Sequence, residues 1–238
     1  MALVTGGGVR LGRAIALGLA GAGHDLLVHY NRSEEPAAEV VAAVRALGRR
    51  AEAVSADLST PEGAERVARA VEEHFGRLDL LVNSAASFDQ AELLEVDPER
   101  WDSVMDLNLR GPFLVARALA PLLTEARGSV VNMVDLSAFQ PWVRYPHHGV
   151  SKAGLMHLTR VLARVLAPAV RVNAIAPGAV LPPDDASEAE LEREIERTPL
   201  ARIGSPDDIV RTVLFLTASP FVTGQVVVVD GGRSLEFG

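Results

Sequence analysis

Seven short apolar runs separate longer stretches in which apolar residues recur at helical spacing, and this alternation persists along the whole chain. The runs ALVT (2–5), DLLVHY (25–30), AEAVS (51–55), LDLLVN (78–83), SVVNMV (129–134), VRVNAI (170–175) and QVVVVD (225–230) predict strands. Helices are predicted over 11–22, 36–48, 61–75, 98–126, 149–166 and 206–217. Strands of Val, Leu and Ile without polar alternation bury both faces, as parallel strands do when helices cover the sheet on either side. The expected fold class is α/β: a Rossmann-type doubly wound parallel sheet of about seven strands.

Local punctuation agrees with these boundaries. Thr60-Pro61 and Asp97-Pro98 each set a capping side chain before a proline at the first helical position. No proline- or serine-rich linker, repeat or low-complexity segment divides the chain, so 1–238 is expected to form one domain. The one insertion, LPPDDASEAELEREIER (181–197), reads as a proline-rich turn and a charged helix, either a solvated surface helix or a substrate lid.

Composition narrows the function classes. The 238 residues, 48% hydrophobic, are enough for a sizeable core. A net charge of −8, with arginines interleaved among carboxylates, argues against nucleic acid or an anionic membrane as partner. The absence of cysteine excludes disulfides, thiolate metal sites and cysteine nucleophiles. Neither a signal-peptide start nor a span of roughly 18 apolar residues is present, so a cytoplasmic protein acting on a small molecule is expected.

The first strand runs into TGGGVRLG (5–12) and then an apolar helix. A glycine turn at that junction lets backbone approach a pyrophosphate, while the helix N-terminus supplies N–H donors and positive potential. The candidate residues are Gly6, Arg10, Leu11 and Gly12, with Arg10 where a middle glycine is commoner. After the second strand comes HYNRS, in which Arg32 and Ser33 offer donors for a 2′-phosphate, so NADP is favoured over NAD; Tyr30 and Asn31 are further candidate cofactor residues. The Glu34-Glu35 pair that follows suits the start of the next helix.

One further stretch stands apart. YPHHGVSK (145–152) holds the only lysine of the chain, Lys152, beside 22 arginines. An ammonium is a compact point charge that fits a tight polar site and perturbs a neighbour's proton affinity, as a guanidinium does not. Four residues earlier, one helical turn away, stands His148.

TGGGVRLG, ADL (56–58), NSAAS (83–87), Asn108 in MDLNLRG, the 148–152 spacing and APG (176–178) together resemble the short-chain dehydrogenase/reductases over nearly the full chain. Within that family HYNRS, NSAASF and NMVDLSAFQP are most similar to the pteridine reductases. The resemblance implies that Arg10, Ser87 and Phe88 line a pterin site, with Phe88 stacking the heterocycle. It further implies that Asp57 and Leu58 contact adenine, that Asn83, Ser84 and Ala85 pass under the cofactor, and that Lys152 holds the nicotinamide ribose. Pro177 and Gly178 fall in the APG motif, and Asp135 takes the place of the wider family's serine. A homotetramer assembled through helices 98–126 and 149–166 is implied as well.

The catalytic tyrosine of the family pattern is replaced by His148; Tyr145, three residues earlier and ahead of a proline, reaches the cleft only as a loop side chain. Three readings follow. His148 donates the proton, relayed through Asp135 or water; or Asp135 or Tyr145 serves a differently specialised reductase; or the chain binds cofactor without turnover. A carbonyl reductase of 3-oxoacyl type is the enzymatic alternative to a pterin reductase.

Overall fold

Successive residues of the first strand, β1 (Ala2–Thr5), point to opposite faces: Ala2 and Val4 join one apolar cluster and Leu3 the other, all fully buried. The remaining strands are β2 (Leu26–Tyr30), β3 (Ala51–Ser55), β4 (Leu80–Asn83), β5 (Ser129–Met133), β6 (Arg171–Pro177) and β7 (Val226–Val229). In this computed structural model, which describes residues 1–183 and 186–235, they form one parallel sheet in the order β3-β2-β1-β4-β5-β6-β7.

Helices cover both faces. Ile15 of α1 (Arg10–Gly21), Val40 of α2 (Glu34–Ala46) and Ile209 of α8 (Pro206–Ala218) pack on one side. Val67 of α3 (Pro61–His74), Leu119 of α5 (Gly111–Ala126) and Leu162 of α6 (Pro146–Val165) pack on the other. Two further helices complete the set, α4 (Pro98–Met105) and α7 (Glu188–Glu196). Among the described residues no helix is long and apolar enough to cross a membrane.

β1 lies between β2 and β4, so the chain steps outward to β3 and then crosses back to the other side of β1. Such a reversal opens a crevice at the carboxyl ends of the central strands, where ligands of this sheet type bind.

Three differences from the pattern reading have physical reasons. The single helix expected over 98–126 is split by a π turn (Asp106–Arg110) that carries Asn108 into the interior. α6 starts at Pro146 rather than 149, because a proline suits the first helical position, and it takes both histidines into its first turn. β7 reads as a fully buried strand, yet its valines are partly exposed because it is the edge of the sheet. In the 181–197 insertion, α7 is started by a reciprocal Ser187–Glu190 capping box and has no buried residue; residues 184–185 of the expected lid lie outside the described residues.

Candidate active site

The glycine loop after β1 is shaped by contacts that no side chain could share. Gly6 has φ +63°, and a Cβ on Gly12 would stand 2.1 Å from the Gly6 carbonyl oxygen. The loop is pinned by the buried His29 of β2, whose Nδ1 accepts from the Gly6 N–H (3.1 Å) while Nε2 donates to the Ala56 carbonyl (3.0 Å). Burial lowers the proton affinity of His29, in keeping with the neutral ring these bonds require. α1 has neither a side-chain cap nor an acidic residue in its first turn. Its leading N–H groups therefore face the crevice without a protein anion, and the cradle fits a pyrophosphate. Arg10 (φ 48°) donates from Nη2 to the Leu181 carbonyl at 2.8 Å, tying the loop to the start of the insertion.

Beside this cradle, Arg32 is exposed after β2, and Ser33 is the residue preceding α2. Asp57 accepts from the Ser59 hydroxyl (2.7 Å) and N–H (3.0 Å). These bonds hold its carboxyl below the ordinary range against a smaller opposing effect of burial, and the Arg32 charge adds to them. Leu58 is buried. Thr5 Oγ1 accepts from the N–H groups of both Ser84 and Ala85 (2.9 and 3.0 Å), turning the chain after β4 across the end of β1. The Asn83 side chain lies instead in the interior, donating to Asn132 Oδ1 (2.8 Å), which in turn is linked to Thr159; of the expected 83–85 surface only the backbone and Ser84-Ala85 remain available to a cofactor. On the far side Gly178 donates to Val229 (3.0 Å), and a Cβ there would meet Asp230 at 2.8 Å.

The floor of the crevice brings Asp135, His148 and Lys152 together. His148 is 1% exposed; its Nε2 lies 2.6 Å from Asp135 Oδ2 and its Nδ1 3.0 Å from the Ser87 carbonyl. Asp135 Oδ1 accepts from the Ser137 N–H at 2.9 Å and from its hydroxyl. Burial alone would raise the Asp135 carboxyl, but the His148 hydrogen bond, the Lys152 charge and Ser137 together hold it below its usual range. Lys152 is buried and donates to the Met133 carbonyl (2.9 Å); burial lowers its proton affinity, opposed by Asp135.

Nε2 of His148 faces the Asp135 carboxylate, while Nδ1 lies between the Ser87 carbonyl and the Asn108 amide nitrogen (3.3 Å). The short Nε2–Oδ2 contact can pass a proton between ring and carboxyl.

Asn108 fixes the opposite wall. Its amide accepts from the Ser87 N–H (2.8 Å) and donates to the Ser87 carbonyl (2.9 Å) and to Ser151 Oγ (3.1 Å). π turns recur at functional positions because the extra residue redirects one side chain inward, as here. Phe88 stacks on Tyr145 with centroids 4.5 Å apart and sets its edge against His148 at 4.8 Å. Tyr145 precedes the helix, and its hydroxyl accepts from the Gln90 side-chain amide (2.9 Å), so it is tied to the loop after β4 and not to Lys152.

Contacts join Asp135, His148, Ser87, Phe88 and Tyr145 into one cluster, whereas the Asn83 side chain lies in the interior. The residues sequence reasoning passed over are His29, Asp89, Asn108 as a contact, and His147. His147 Nε2 lies 2.9 Å from Asp89 Oδ2, and Asp89 also pairs with Arg100. The only signal for this cluster was the doubled histidine itself.

Comparison with known proteins fits this geometry. A family described as enoyl-(acyl carrier protein) reductase matches residues 8–234. A 3-oxoacyl-[acyl-carrier-protein] reductase of Synechocystis is 34% identical, the match covering 98% of this chain and 96% of the relative. The 2-dehydro-3-deoxy-D-gluconate 5-dehydrogenase of Escherichia coli is 36% identical over 98% of this chain and 94% of its own length. The crystal structure of acetoin dehydrogenase from Enterobacter cloacae superposes with a TM-score of 0.90 at 33% identity, covering 99% of this chain and 95% of that one. None of these is a pteridine reductase, so the pterin likeness drawn from short motifs gives way to the carbonyl alternative. Over its whole length, from glycine cradle to buried lysine, the chain belongs to the short-chain dehydrogenase/reductase family.

Proposed function

We propose that this protein is an NADPH-dependent carbonyl reductase acting on the ketone of a 3-oxoacyl thioester or a related small oxo compound. The observation that carries the reading is the Asp135–His148–Lys152 set at the floor of the crevice, with His148 Nε2 2.6 Å from Asp135 Oδ2. Support comes also from the oxoacyl reductase among the relatives.

The residues have separable tasks. Gly6, Leu11, Gly12 and the start of α1 would hold the pyrophosphate, and Arg32 with Ser33 the 2′-phosphate. Asp57 and Leu58 would border the adenine, Ser84 and Ala85 the cofactor's underside, and Pro177 with Gly178 the nicotinamide end. Lys152 keeps protons beyond the one given to Met133, and these would bond the nicotinamide ribose. NADPH, when bound, supplies the hydride. The carbonyl oxygen would take its proton through Asp135, the more exposed member of the Asp135–His148 pair; His148 would resupply that carboxyl, and the pair would regain its proton from solvent by way of Asp135.

A second reading, a pterin-like heterocycle, keeps one observation in its favour: the Phe88 ring, 60% exposed beside His148, offers a flat face. The test is NADPH consumption with acetoacetyl-CoA and, in parallel, with a dihydropterin. Turnover of the thioester alone supports the main reading, turnover of the pterin alone the second. NADPH binding without oxidation of either leaves a cofactor-binding protein.

A further inference from the structure

Two adjacent histidines at the start of α6 grip the loop after β4 at points two residues apart. His148 Nδ1 meets the Ser87 carbonyl at 3.0 Å, and His147 Nε2 meets Asp89 Oδ2 at 2.9 Å. Phe88 lies between them and projects into the mouth, stacked on Tyr145. We infer that His147 is a positioning residue for the reaction: through Asp89 it holds the segment that presents Phe88 to the substrate and the Ser87 carbonyl to His148.

The neighbouring contacts act together with it. Arg100 of α4 pairs with Asp89 through both Nε and Nη2, and its Nη2 also donates to the Gln90 carbonyl (2.8 Å). The Ala91 N–H donates to the Arg144 carbonyl (3.0 Å), and Ser87 is bound at both ends by Asn108. The segment is thus held at almost every residue, and His147 is the only one of these anchors adjacent in sequence to His148. Arg100 first, then His147, holds the Asp89 carboxyl at about 2 against burial, so the anchor stays charged at neutral pH.

His147 is fully buried, and its Nδ1 has no hydrogen-bond partner. An apolar side chain of similar size would avoid that unmatched polar atom, so packing alone gives no reason for an imidazole here. The bond to Asp89 does.

This inference rests on the carbonyl reductase reading for its kinetic arm alone; its other arm needs no turnover. Amide hydrogen exchange of the unliganded protein should show Ser87 and Ala91 exchanging about tenfold or more faster in His147→Leu, with β1, β4 and β5 unchanged and the melting temperature not lowered. With acetoacetyl-CoA the same variant should raise KM about fivefold or more, leaving kcat and NADPH affinity within about twofold. His147→Gln, whose amide nitrogen can occupy the Nε2 position, should keep wild-type values in both arms. Wild-type loop exchange in His147→Leu overturns the inference, as does a His147→Gln variant that behaves like His147→Leu. If His147→Leu does not fold, Asp89→Ser on the solvent side of the pair carries the same expectation, and unchanged loop exchange there overturns it equally. If the wild type turns over no thioester, the reductase reading falls while the exchange result still decides for or against His147.

Discussion

Under the proposed function the proton would come from a histidine that reaches less far than a tyrosine, backed by an aspartate longer than serine. His148→Phe should leave NADPH binding intact and lower turnover about 10²-fold or more, the range of a lost general acid, measured by steady-state kinetics beside a binding titration. Full activity in that variant would move the donor role to Asp135 alone. Lys152→Arg should weaken cofactor binding, since a planar fork cannot replace a point ammonium with its head against the Met133 carbonyl. Carboxylates set the acid limit. Asp89, held at about 2 in the folded chain against about 3.9 unfolded, contributes stability that is complete above about pH 4 and is lost as pH falls towards 2. Denaturant midpoints should drop over that window, and Asp89→Asn should flatten the drop. At this scale the sequence was legible where a residue type is chemically odd: one lysine among arginines led to Lys152 and its turn-mate His148. His147 escaped because its partner Asp89 is 58 residues distant along the chain, and no local pattern announces such a pair.

Elements were legible where a cap or a period dictates them. Thr60 accepts from the Gly63 N–H (3.1 Å) and Asp97 from the Arg100 N–H (2.8 Å), the two N-caps expected ahead of Pro61 and Pro98. The π turn was not legible, since DLNLR continues the apolar spacing of an ordinary helix and the extra residue shows only in the backbone. Glycines test how tightly loops and helices meet. At Gly63, in the first turn of α3, helix propensity would favour alanine by up to about 1 kcal/mol. A Cβ there would nevertheless stand 1.8 Å from the Asp57 carbonyl oxygen, so overpacking of about 1–3 kcal/mol wins and Gly63→Ala should destabilise the fold in denaturant titration. Because Asp57 borders the expected adenine site, NADPH affinity should fall with it.

For the molecule as a whole, continuous apolar strands established a two-sided parallel sheet, but single-sequence patterning does not encode which strands are neighbours. The position of β7 at the edge, and so its partial exposure, had to come from the structure. Phe113 on α5 and Val150 and Val161 on α6 stay exposed in the single chain; a tetramer through those helices, which we propose, would cover them. Light scattering should then report four times the mass of the 25.3-kDa chain, and a monomer would refute that assembly. Burying the sole lysine also has an analytical consequence. A folded chain offers amine-acylating reagents no accessible side-chain amine, since Lys152 is 5% exposed and bonded inward. Acylation at that one position should therefore proceed only as fast as the crevice or the fold opens, so the modified fraction of the Lys152 peptide after a reagent pulse becomes a one-residue clock of opening. Saturating NADPH should slow that clock by occupying the ammonium, and a cofactor that leaves the rate unchanged would mean that Lys152 does not hold it.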